Sequence, residues 1–325
     1  MPQAPEERTS NDLRLTVRVA LMYYRLHLTQ GQIGERLGIS RFKVGRLLDR
    51  AVRESIVQID IVHPVARLVD LENRFVERFG LRAAVIVDVP QGPTGQAIEE
   101  LARESVAGAA VSYLATLRPT GSIGVSWGRT MLELARQLEP GWTTATEIVQ
   151  LNGATSRSSL PTRANEIAER FGTTTGASIR MLAAPAIVGS AELRHALEQD
   201  PSVGMALDVA RATPTAIFGL GILSRESVLV ESGYLSEDDL GALRAAGAVG
   251  DVLGRFLTLD GRIATPEIDD RTVGLPLGEL GGKAIALGLA AGAGRGPITL
   301  ASLRARCVNV LVADVGTAEW VLANG

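Results

Sequence analysis

A chain of 325 residues is longer than one hydrophobic core usually organises, so two domains are expected. With 46% hydrophobic and 21% charged residues it has the balance of an ordinary globular protein, and no run of about 18 apolar residues could span a bilayer, so neither a membrane protein nor a membrane partner is expected. The formal net charge of −3 is uneven: residues 1–62 carry ten Lys/Arg against seven Asp/Glu and the remainder 23 against 29, a basic head before an acidic body, as suits a protein that meets a polyanion at one end.

The first fifteen residues lack the basic, then apolar, then small-residue order of a secretion signal, so a cytoplasmic location is expected. From Asn11 to Leu28, Leu13, Val17, Ala20, Leu21 and Tyr24 recur at three- and four-residue spacing and mark an amphipathic helix. Thr29 then reads as the N-cap of a second helix, Gln30 to Leu37, with Ile33 and Leu37 inward and a stop at Gly38. Ser40 reads as the N-cap of a third, Arg41 to about Arg53, burying Val44, Leu47, Leu48 and Ala51.

Two short helices joined by a tight glycine-containing turn predict a helix-turn-helix, its second helix in the major groove of DNA. The exposed N-terminal side of that second helix would then carry Arg41, Phe42, Lys43 and Arg46, with arginine able to pair with guanine and Lys43 or Ser40 equally able to hold the backbone, Ser40 and Arg50 near the phosphates, and Thr29 and Gln30 at the start of the supporting helix. A short strand over residues 56–62 would add a wing, and His63-Pro64 breaks it. The DNA-binding domain is thus expected over residues 1–62, with one larger domain over 63–325.

The second part opens on an apolar-faced helix, Val65 to Phe79, after which strand-like and helix-like runs alternate. Strands are expected at Ala83–Val89, Ser122–Ser126, Glu147–Leu151, Ala177–Leu182, Thr215–Phe218, Ala284–Leu289 and Val308–Ala313. Helices are expected at Gln96–Leu117, Arg129–Leu138, Thr162–Phe171, Val203–Arg211 and Ile298–Arg304. Such alternation predicts a Rossmann-like parallel α/β sheet with crossover helices. A ligand would sit beyond the carboxyl ends of its strands. Three post-strand segments suit that place: Trp127-Gly128-Arg129-Thr130, which offers backbone donors, a guanidinium and a hydroxyl to an anion; Asn152-Gly153; and Gly219-Leu220-Gly221. The lone Cys307 lies in an apolar stretch read as a buried strand.

The chain resembles the SorC (sorbitol-operon regulator) family of bacterial transcription factors over nearly its whole length. The resemblance is carried by Thr29-Gln30-Gly31-Gln32-Ile33, Ser40-Arg41-Phe42-Lys43-Val44, Gly124-Val125-Ser126-Trp127-Gly128-Arg129-Thr130, Val149-Gln150-Leu151-Asn152-Gly153, Ala246-Gly247-Ala248-Val249-Gly250-Asp251 and the terminal Val308 to Asp314. It implies a body similar to the sugar-phosphate isomerase and deaminase fold, used as a sensor without catalysis, and homotetramers that bind operator DNA and respond to a sugar or its phosphate. It further implies that Gly128, Arg129 and Thr130 hold phosphate, that Asn152 and Gly153 border the sugar, and that Asp251 accepts from its hydroxyls. A lysine typical of the family stands here as Arg295, which keeps the positive charge but cannot form an imine with an open-chain sugar.

An isomerase-like enzyme would need a positioned acid–base pair. The three histidines, His27, His63 and His195, do not follow predicted strands beside a carboxylate, and His195 reads as an exposed helix residue. No metal-ligand spacing, P-loop or GxGxxG after a strand is present, so neither metal nor cofactor is expected. A polyol or other unphosphorylated metabolite stands as the alternative effector.

Overall fold

The computed structural model describes residues 5–57, 64–89, 95–155, 158 and 162–325, in two compact units, Met1–Ala66 and Arg67–Gly325. The domain boundary expected between residues 62 and 63 lies outside the described residues, as does the wing strand from residue 58 onward.

The first unit holds α1 (Pro5–Tyr24), α2 (Gln30–Leu37) and α3 (Arg41–Arg53). Caps set the bounds of the last two. Thr29 and Gln32 form a reciprocal capping box, Gly38 closes α2 in the left-handed conformation, and the Ser40 side chain accepts from the Lys43 N–H. Val19, Met22, Ile33, Val44, Leu47 and Leu48 make one core, against which Leu37 and Ile39 pack.

The face that α1 buries differs from the periodicity reading. Only Ala20 of the marked stripe is buried; Leu13, Val17, Leu21 and Tyr24 are 37–50% exposed, and the inward face is Thr16, Val19, Ala20 and Met22. Two apolar stripes interleave on this helix, and spacing alone cannot tell which one meets α2 and α3.

The second unit opens within α4 (Pro64–Phe79), which leads into β1 (Ala83–Val87), α5 (Gln96–Leu117), β2 (Thr120–Val125), α6 (Arg129–Gln137), β3 (Thr144–Gln150), α7 (Ala164–Thr175) and β4 (Ser178–Arg180). There follow α8 (Ala191–Gln199), α9 (Pro201–Ala212), β5 (Thr215–Ile222), α10 (Val228–Glu231), α11 (Glu237–Ala245), β6 (Ala248–Val252) and β7 (Arg255–Thr258). The unit closes with α12 (Pro266–Asp269), α13 (Leu277–Gly281), β8 (Ile285–Ala290), α14 (Gly296–Arg304), β9 (Val310–Asp314) and α15 (Val315–Asn324).

The sheet runs β1-β9-β8-β5-β2-β3-β4, and every pairing along this path is parallel. Alternate residues serve its two faces. On β9, Val310 and Val312 join the cluster with Leu114 of α5, Leu134 of α6 and Phe171 of α7, while Leu311 and Ala313 join Phe75 of α4, Leu300 of α14 and Val321 of α15. Near-continuous apolar strands follow from burial on both faces.

Between β5 and β2 the chain departs in opposite directions, toward β8 on one side and β3 on the other, which makes a topological switch point. β5 also overruns the sheet: residues 220–222 pair antiparallel with β6, whose hairpin partner is β7. This excursion has no counterpart in the expected strand list.

Two buried cations brace the body. Lys283 Nζ donates to the carbonyls of Ala210, Arg211 and Thr213 at 2.8–3.0 Å, closing the end of α9. Arg255, 5% exposed at its side chain, donates to the carbonyls of Leu275, Thr272 and Gly274 and pairs with Asp269 at 2.7 Å. Cys307 is buried as expected, just before β9, and burial pushes its thiol up to about 12.

Candidate functional site

In the three-helix unit, burial of Val44, Leu47, Leu48 and Ala51 turns the opposite side of α3 outward. Arg41, Phe42, Lys43 and Arg46 are exposed there, Phe42 at 73% with the Arg41 guanidinium 5.3 Å from its ring centroid. Gln30 is exposed at the start of α2. Thr29 and Ser40 serve as caps. Arg50 is engaged otherwise than expected: its guanidinium pairs with Glu54 at 2.7 Å and with Asp12 of α1 at 3.3 Å, so it braces the unit.

In the body, the carboxyl ends of β2, β3 and β5 open into a cavity of about 590 Å³. Gly128 ends the loop after β2 with φ +130°, a conformation side chains disfavour, and N-caps α6 without any side-chain cap. The first N–H groups of α6 are therefore unclaimed by a cap, and the cavity wall includes Gly128, Arg129 and Thr130. Asn152, just beyond β3, is 3% exposed, and its Oδ1 has no hydrogen-bond partner among the described residues. Such a buried acceptor calls for a donor.

The β6 excursion brings Asp251 to the same wall, opposite Gly221 of β5. A Cβ on Gly221 would lie 2.1 Å from Asp251 Oδ1, so glycine alone leaves room for that carboxylate. The Gly254 N–H donates to Asp251 at 3.0 Å, yet burial outweighs this bond and raises the carboxyl to about 6.

Three guanidiniums, Arg103, Arg129 and Arg295, share the cavity. Arg295, 12% exposed at its side chain, has Nε and Nη1 without hydrogen-bond partners and sits 3.6 Å from Glu99. Burial lowers its proton affinity, Glu99 opposes this, and the like charges of Arg103 and Arg129 reinforce it. Arg129 pairs with Glu231 of α10 at 2.5 Å.

The structure thus brings Gly128, Arg129, Thr130, Asn152, Gly219, Gly221, Asp251 and Arg295 to one cavity. Gly153 is the exception. A Cβ there would lie 2.3 Å from the Pro185 carbonyl, and its own carbonyl accepts from Trp127 Nε1 at 2.9 Å, so it packs behind the wall instead of bordering it. Arg103, Glu99 and Glu231 escaped the sequence reading. The first two lie on the opening turns of a long helix, and Glu231 lies in a four-residue helix with no strand before it to flag it. His195 is exposed on α8 and contacts Gln199. Among the described residues there is no cluster of His, Cys, Asp or Glu that could hold a metal ion, and no helix long and apolar enough to cross a membrane.

A small basic helical unit followed by a cavity-bearing parallel α/β body defines a ligand-responsive transcriptional regulator. The family model of a sugar-binding domain (Sugar-bind) matches residues 63–323, and the chain belongs to that family. It is 30% identical over 307 residues to the deoxyribonucleoside regulator of Bacillus subtilis (strain 168), covering 94% of this chain and 96% of that protein. To the transcriptional regulator LsrR of Enterobacter sp. (strain 638) it is 31% identical over 314 residues, covering 95% and 93%. The full-length sorbitol operon regulator SorC from Klebsiella pneumoniae superposes with a TM-score of 0.70 at 25% identity, over 96% of this chain and 99% of that one. The SorC resemblance read from the motifs is borne out, and these similar proteins are regulators, not enzymes.

Proposed function

We propose that the protein binds operator DNA through α2 and α3 and releases or redistributes on it when a sugar phosphate enters the body's cavity. The α2–turn–α3 pair is the helix-turn-helix, in which Arg41, Lys43 and Arg46 contact bases and phosphates while Thr29, Ser40 and Arg50 hold the helices in place. Two half-sites demand two recognition helices, so the chain acts as a dimer or tetramer. Its place of work is the cytoplasm, with the DNA.

The observation that carries the effector reading is the convergence, on one wall, of an uncapped helix N-terminus, three guanidiniums and two unsatisfied or enclosed acceptors. The phosphate sits at the α6 N-terminus with Arg129 and Arg295, and the sugar hydroxyls donate to Asn152 Oδ1 and Asp251. A thermal-shift screen of sugars, polyols and their phosphates tests this, since a ligand at about 100 times its Kd adds about 2.7 kcal/mol to the native state. Arg129→Ala should weaken a phosphorylated hit far more than its unphosphorylated parent. Equal loss for both would remove the phosphate from the assignment and favour a polyol.

A further inference from the structure

The three cavity guanidiniums are not equivalent. Arg295 has no hydrogen-bonding carboxylate, and Arg103 forms no hydrogen bond or ion pair among the described residues, whereas Arg129 is in short contact with Glu231. Glu231 can move while its main chain stays. Leu229, Tyr234 and Leu235 on either side are at most 5% exposed within one apolar cluster, Ser158 Oγ donates to the Glu231 carbonyl at 2.7 Å, and Tyr234 OH donates to the Thr155 carbonyl at 2.6 Å. Its side chain is 36% exposed, so rotation into water is open to it.

We propose that Glu231 is a specificity-determining residue of the cavity: its carboxylate occupies the Arg129 guanidinium and competes with a ligand's anionic group for it, so it handicaps phosphate monoesters and sugar acids relative to neutral polyols and narrows the lead that the guanidiniums would otherwise give to anions. This rests on the reading that the cavity takes a sugar phosphate. A neutral hydroxyl leaves the Arg129–Glu231 pair intact, since ion to hydroxyl is a poor exchange for ion to ion. A ligand carboxylate must displace Glu231 to reach Arg129 and only exchanges one ion pair for another, so it gains little there. A phosphate dianion brings twice the charge and three acceptor oxygens to Arg129 and to the N-terminus of α6.

The test titrates the full chain with three matched probes, glycerol 3-phosphate, glycerate and glycerol, at constant ionic strength. Glu231→Gln is nearly isosteric, and intrinsic tryptophan fluorescence on heating checks that it folds. Removing this competing charge should tighten glycerol 3-phosphate about three- to tenfold, tighten glycerate by no more than that, and leave glycerol unchanged, so the preference for phosphate over polyol widens. In an Arg129→Ala background the same substitution should no longer act. Tightening of all three probes alike would overturn the proposal, as would an unchanged glycerol 3-phosphate affinity. In the latter case, continued weakening by Arg129→Ala would leave the phosphate reading standing, with Glu231 a bystander. Indifference of the wild type, Glu231→Gln and Arg129→Ala to glycerol 3-phosphate would bring down both readings.

Discussion

Asp251→Asn should make the body more stable at neutral pH while weakening its hold on a hydroxylated ligand. The carboxyl rises from 3.8 to about 6 because burial penalises its charge more than the Gly254 N–H rewards it. At about 1.36 kcal/mol per pH unit, that rise makes the penalty about 3 kcal/mol. The folded chain binds this proton more tightly than the unfolded one, so the contribution favours folding below about pH 4 and is lost as pH rises through about 6. Asparagine carries no charge and can still accept from Gly254. Its advantage over the wild type should therefore be about 3 kcal/mol at about pH 7.5, shrink between about pH 6 and 5 and vanish near about pH 4. Urea titrations followed by tryptophan fluorescence read this cleanly, since Trp127, Trp142 and Trp320 all lie in the second unit. Taking the difference between the two proteins cancels every other titrating group. An advantage that does not change between about pH 7.5 and 4.5 would refute the reasoning, because the carboxyl would then have been neutral, or solvated, throughout.

Lys43→Ala should weaken operator binding and lower the slope of log affinity against log salt by about one, measured by fluorescence anisotropy; an undiminished slope would make Lys43 a base reader or a bystander. Arg255→Met should lose about 3–5 kcal/mol in urea titration, since three backbone carbonyls and Asp269 forfeit their buried partner, and a loss under about 1 kcal/mol would mean that water replaces the guanidinium. The Cys307 thiol, raised to about 12 and enclosed, should stay unmodified by iodoacetamide at about pH 8 in the native protein and react at once in urea; native labelling at a free-thiol rate would contradict its burial.

The residues themselves carried the bounds of α2, α3 and α5, because caps, glycine stops and helical period act over only three or four positions, and Thr29, Gly38 and Ser40 are read without knowing what surrounds them. They likewise carried the parallel sheet and the three loops at its carboxyl edge, since strand, loop and helix follow one another directly in the chain. What packing decided is of longer range. Which stripe of α1 turns inward depends on where α2 and α3 lie, and whether Arg50 meets DNA or Asp12 depends on a partner 38 residues away. Gly153 sits behind the wall because residues 184–185 press against it, and Asp251 reaches the cavity because β5 overruns the sheet to pair with β6. Glu231 joins Arg129 across 102 positions of sequence. Local hydrogen bonds write themselves into neighbouring residues, whereas the neutralisation of a buried charge is settled only when distant segments are brought within a few ångströms.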